Sequence, residues 1–231
     1  MYDYSRRTPY ADFRSETALG ERRAVLGKVL GLLGFAFLFT AGGALIGRSL
    51  GPGAFLLAIV GSFGTLIALQ FLRERSPVNL GLLYGFATFE GMVLGLILEA
   101  YIARGLGEVV MNAAAATAAV TLGAGAYGYT TRRDLSGMRG FLFVGLLGVI
   151  VASVVGIFVQ LPLLYIGISA VAAVLFTGFL VFDLNRVANS RGATEGQAIL
   201  LAVSVYLDII NLFLALLRLF GFAAGGSSRN D

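Results

Sequence analysis

Four carboxylates stand inside otherwise apolar stretches of this 231-residue chain: Glu90, Glu99, Asp183 and Asp208. A carboxylate in such surroundings can carry a proton, hold a cation or pair with a guanidinium, and it is costly unless it does one of these. Other chemistries are removed by what the chain lacks. With no Cys there are no disulfides, thiolate nucleophiles or Cys-based metal sites. With no His there is no His-dependent triad, no haem ligation by His and no imidazole switch near neutral pH. The one lysine, Lys28, precedes the first apolar run, so no late helix offers a Schiff-base lysine. Proton chemistry in this chain must run on carboxylates, helped by Arg or Tyr.

Asp183 and Asp208 fall on consecutive apolar segments joined by a short polar loop, so antiparallel packing can bring them together. At one level in a poorly solvated site the two charges would repel, and the pair would share a proton. Such a pair is a pH sensor that needs no histidine. Arg73 ends the second segment on the same side and is the expected counter-ion, with a topology signal as its other reading. Asn211, three residues after Asp208 on the same helical face, is placed to donate a hydrogen bond to it. Asp183 has a local alternative in Arg186, three residues on. Glu90 reads either as an ion-path group or as a hydrogen-bonded packing residue, and Glu99 reaches the interface. Tyr127, Tyr129 and Tyr206 read as packing or interfacial groups.

These residues must be held by helices in lipid. The chain is 58% apolar and only 13% charged, about half the charged complement of a soluble domain, and its mean hydropathy is +0.86. Charges punctuate the runs: 19 uncharged residues lie between Lys28 and Arg48, 24 between Arg48 and Arg73, and 23 from Val109 to Thr131. Ser76 to Leu98 carries only Glu90, and Gly196 to Leu217 only Asp208. The 43 uncharged residues between Arg139 and Asp183 suit two crossings of a core roughly 30 Å thick, with the turn at Leu161-Pro162. The expectation is an all-α, polytopic membrane protein of seven transmembrane helices: a polar tail over 1–28, the membrane domain over 29–222 and a flexible tail over 223–231. Thirteen of the 17 basic residues fall on one side with the N-terminus and four on the other, predicting a cytoplasmic N-terminus in a cell (inner) membrane. Most of those charges lie between apolar runs, so nucleic acid is not an expected partner. The spacings Gly43/Gly47, Gly81/Gly85 and Gly91/Gly95 read as close helix packing.

Tyr-Thr-Thr-Arg-Arg-Asp-Leu-Ser (129–136), Phe-Asp-Leu-Asn-Arg (182–186) and Ser-Val-Tyr-Leu-Asp-Ile-Ile-Asn-Leu-Phe (204–213) resemble the motifs of the Bax inhibitor-1, or transmembrane Bax inhibitor motif, family, and Phe-Glu-Gly (89–91) its third-helix acid. The resemblance covers about residues 25–222. It implies a last helix enclosed by the other six and a pH-dependent calcium leak. It also implies an aspartate pair, Asp183 and Asp208, acting as a pH-sensing latch tied to Arg73. The tail departs from the lysine-rich eukaryotic pattern.

The expected function is therefore a proton-gated calcium leak channel in the bilayer, with calcium as transported ion and no other cofactor. Deprotonated, Asp183 and Asp208 offer oxygen ligands to calcium. The competing expectation is a non-conducting regulator that binds a membrane protein such as a membrane-bound protease, contacted through the polar tail. An intramembrane aspartyl protease also sets two aspartates on consecutive helices, but such enzymes carry Tyr-Asp and Gly-x-Gly-Asp. Here the acids stand in Val-Phe-Asp and Val-Tyr-Leu-Asp, so no enzyme is expected.

Overall fold

The computed structural model describes residues 9–50, 53–131 and 133–227, with side chains from residue 20 to residue 225 apart from Ala54. Among these residues there are seven helices and no strands: α1 (Pro9–Leu50), α2 (Ala54–Leu72), α3 (Val78–Ile102), α4 (Gly107–Thr130), α5 (Met138–Val159), α6 (Pro162–Asn189) and α7 (Glu195–Ser227). All seven are long and apolar enough to cross a membrane. Two ends differ from expectation. α1 is already helical at Pro9, so the helix runs through most of the polar stretch, and α7 continues past Phe222 to Ser227.

The turns follow from local chemistry. Gln160 closes α5 in the left-handed region at φ 51°, its N–H donating to the Gly156 carbonyl, and Pro162 starts α6 where its missing N–H costs nothing. Gly192, at φ 57°, lets the chain reverse between α6 and α7. Asn79 is fully buried at the α2–α3 turn; its Nδ2 donates to the Arg73 carbonyl at 2.9 Å and its Oδ1 accepts from the Leu80 N–H. In the α4–α5 loop the Ser136 N–H donates to Asp134, which holds that carboxyl below the usual aspartate range.

Lipid gives helices no hydrophobic reason to associate, so close approach must come from small residues. The α1–α3 seam illustrates this. A Cβ at Gly43 or Gly47 would run into the backbone of Thr88 or Met92, and one at Gly91 or Gly95 into Thr40 or Ala44. Gly81 has open space around it and Gly85 only an ordinary contact with Thr65, so that third pair is not part of any tight seam.

α7 is the most enclosed helix. Over half of its apolar stretch is buried, against a third or less in every other helix. It packs directly on α1, α3, α4 and α6; α2 packs on α3 and α1, and the α5 backbone approaches that of α6 alone. Tyr206 of α7 is buried at the centre, its hydroxyl 2.8 Å from Thr40 Oγ1 and its ring against Phe37 and Phe86.

Candidate functional site

Antiparallel packing of α6 on α7 brings Asp183 and Asp208 together. Both are buried, each only 6% exposed, and their carboxyl groups lie within hydrogen-bonding reach of one another. Asp208 Oδ2 is buried and receives no hydrogen bond among the described residues. Two acceptors face each other with nothing between them to donate, an arrangement that a single shared proton satisfies.

The surrounding charges differ from expectation in one respect. Asp183 Oδ1 lies 3.9 Å from Arg186 Nη1, three residues on along α6, and Arg139 at the start of α5 also acts on it. Arg73 does not reach the pair: its Nε lies 3.8 Å from Glu74, and both side chains are about half exposed. The reason is position. Arg73 follows the last residue of α2, where its guanidinium is solvated and meets the adjacent carboxylate, while Asp183 has a nearer cation on its own helix. What Arg73 gives the bundle is its backbone, since a Cβ at Gly196 would meet the Arg73 carbonyl at 2.6 Å. The residue that follows α2 is thus seated against the start of α7.

Asn211 also departs from its expected bond. Its Nδ2 donates to the Leu207 carbonyl at 2.8 Å, one turn back, rather than to Asp208. It still faces the same cavity. Glu90 belongs to a different place: it accepts a hydrogen bond from Ser62 of α2 and lines none of the cavities beside the aspartate pair. Glu99 Oε2 pairs with Arg48 Nε at 3.1 Å near the far end of the bundle.

Asp183 stands at the neck where two cavities meet, and Asp208 beside it lines one of them. One, of about 590 Å³, opens at the loop end of α5 and α6 beside Ser136, Arg139 and Arg186. The other, of about 610 Å³, runs between α5 on one side and α6 and α7 on the other. Asp183, Phe179 and Ser204 line both. The second cavity extends from Ser204 to Arg218, about 21 Å along α7 at the helical rise. Arg218 also lines a third cavity of about 340 Å³ at the opposite end. The three share lining residues in turn, Asp183 between the first two and Arg218 between the second and third. Among the described residues the α5 backbone approaches only that of α6, so the middle cavity is flanked by a helix set apart from α7. Arg139 and Ser204 were not singled out in the sequence; Ser204 lies four residues before Asp208 and its place on that face was readable, whereas Arg139 arrives from another helix.

As a permanent metal centre the site is thin. Among the described residues no three His, Cys, Asp or Glu side chains converge. Two carboxylates, with Ser204 and Asn211 nearby, supply fewer oxygens than the six to eight that calcium takes.

Comparison with known proteins agrees with the motifs. The family model described as inhibitor of apoptosis-promoting Bax1 matches residues 22–225. The modulator of FtsH protease YccA of Escherichia coli is 34% identical over 169 residues, covering 73% of this chain and 75% of that protein. A Golgi anti-apoptotic protein of vaccinia virus is 33% identical over 207 residues, covering 86% of this chain and 85% of its own length. A membrane protein of Vibrio cholerae is 34% identical over 204 residues, 87% of this chain and 90% of that protein.

Proposed function

The chain belongs to the Bax inhibitor-1 family, and from that premise we propose that it is a pH-sensitive calcium leak channel gated by the protonation of Asp183 and Asp208. The observation that carries the reading is the buried carboxyl pair, with Asp183 at the neck where two cavities meet. With a proton shared between them the two groups are joined and the neck is held by a hydrogen bond. Without it, two like charges face each other in a poorly solvated place, with Arg186 and Arg139 offsetting only the Asp183 side. The α6–α7 contact then favours a different spacing, and the bare oxygens can meet a divalent cation. The counter-ion in this reading is Arg186 with Arg139, in place of Arg73. The N-terminus is cytoplasmic and the membrane is the cell (inner) membrane.

A second reading has its own support. The Escherichia coli relative is a modulator of the FtsH protease, and a non-conducting regulator of a membrane-bound protease would need no pore. One experiment separates the two. Purified protein is reconstituted into liposomes and calcium entry is followed from about pH 6 to about pH 8, beside empty liposomes. Flux above the empty control that varies with pH supports the channel. Empty-liposome rates at every pH from folded protein, together with co-purification of a membrane protease, support the regulator.

A further inference from the structure

At the end of the bundle opposite the aspartates, Arg104, just beyond α3, and Arg218 of α7 line one cavity of about 340 Å³. Both are exposed, and among the described residues neither has a carboxylate within ion-pairing distance. The nearest acids are otherwise placed: Glu99 is taken by Arg48, and Glu108 lies exposed in the first turn of α4. Tyr101 and Ser169 line the same cavity. Ser169 is buried, 3% exposed, and its hydroxyl makes no hydrogen bond among the described residues. Gly221 lets the Tyr101 ring lie against α7, since a Cβ there would meet it at 2.8 Å. Two unpaired guanidiniums with two hydroxyl groups form a donor set for a phosphate.

Depth and shape favour a lipid as the source of that phosphate. Arg218 lies 23 residues beyond the first residue of α7, about 35 Å along the axis, which is headgroup level if α7 starts at the other interface. Arg218 also lines the middle cavity, whose walls on α5 and α6 near this end are apolar apart from Ser153, with Asp183 only at the far end. Because the backbones of α5 and α7 stand apart and Val154 and Ile157 on the α5 wall are exposed, this cleft is open sideways to the bilayer. Phe222, half exposed, forms part of the rim.

We infer that this end of the protein holds the phosphate of an anionic phospholipid between Arg104 and Arg218, with an acyl chain entering the cleft between α5 and α7. The acyl chain would share the middle cavity with the channel reading, but the inference does not rest on that reading, because binding is measured without flux.

The test is native mass spectrometry of the delipidated full chain in detergent, with phosphatidylglycerol or phosphatidylcholine of matched chains. The wild type should retain phosphatidylglycerol preferentially, and Arg104→Gln and Arg218→Gln should each lower that preference by about fivefold. Arg48→Gln, whose guanidinium is engaged by Glu99, should leave it unchanged. Because the chain has no Trp, Phe222→Trp provides a reporter with both arginines intact, and brominated phosphatidylglycerol should quench it more than the brominated phosphatidylcholine. Equal retention of the two lipids, equal quenching, or a preference untouched by both arginine variants would overturn the site. Displacement of the lipid by an equal concentration of inorganic phosphate would assign the pocket to a free anion and overturn the lipid.

Discussion

The α1–α3 seam makes a sharp prediction because two glycines of one helix meet different surroundings. At Gly91 a Cβ would overlap the Thr40 carbonyl oxygen and lie 2.8 Å from the Thr40 Cα and carbonyl carbon, where ordinary contact begins at 3.4 Å. All three atoms are backbone, so no rotamer can move aside. Relieving the carbon contacts alone, from 2.8 to 3.4 Å, requires α1 and α3 to part by at least about 0.6 Å, and the overlapped oxygen demands more; a gap of that size forfeits about a quarter to a half of each dispersion contact across the seam. Gly81, on the same helix, has nothing within 4 Å. Replacing either by Ala brings the same helix-propensity gain, about 1 kcal/mol, so the difference between the two variants isolates the seam. Gly91→Ala should be less stable than Gly81→Ala by about 1–3 kcal/mol, the usual cost of overpacking. Reversible unfolding in mixed detergent micelles, followed by far-UV circular dichroism, measures both. Equal stabilities would refute the close α1–α3 approach, and with it the placement of Thr40 against Tyr206.

Other expectations follow from the polar contacts. Tyr206→Phe removes the hydroxyl that meets Thr40, while Thr40 keeps its bond to the Ala36 carbonyl; the loss in the same unfolding assay should be about 0.6–1.7 kcal/mol. Arg186→Ala should shift the dependence of calcium flux on pH, whereas Arg73→Ala should leave it as in the wild type; the reverse pattern would restore Arg73 as the counter-ion. Glu90→Gln keeps a partner for Ser62 and lies away from the three cavities, so the flux–pH curve should not move. Asp134, whose carboxyl is held low by Ser136, contributes stability above the unfolded pKa that is lost as pH falls through the folded value. Protection of the Ser136 amide in hydrogen exchange should therefore fall on acidification in the wild type and stay level in Asp134→Asn.

The sequence revealed what depends on runs and local spacing. Charge punctuation located all seven helices, Pro162 marked the α5–α6 turn, and the motifs around Asp183 and Asp208 placed two acids on neighbouring helices. Small-residue spacing correctly marked Gly43/Gly47 and Gly91/Gly95, but the same spacing at Gly81/Gly85 meets no close backbone, since spacing does not say which face a helix buries. Features set by tertiary contact were hidden. Arg73 was assigned to the aspartates by the side of the membrane it shares with them, whereas ion pairing is decided by distance, and Arg186 is on the same helix. Asn211 shares a face with Asp208, yet its amide found a backbone carbonyl one turn back. Arg139, the cavities and the pairing of Arg104 with Arg218 at one pocket come from helices far apart in the chain, and no local pattern announces them.

The shared proton at the neck is tested most directly by infrared difference spectroscopy of the reconstituted protein during a pH titration. The wild type should show the carbonyl stretch of a protonated, buried carboxyl group, absent from both Asp183→Asn and Asp208→Asn, and its midpoint should coincide with that of calcium flux. A band that survives in both variants, or a flux midpoint unchanged without it, would contradict gating by the aspartate pair.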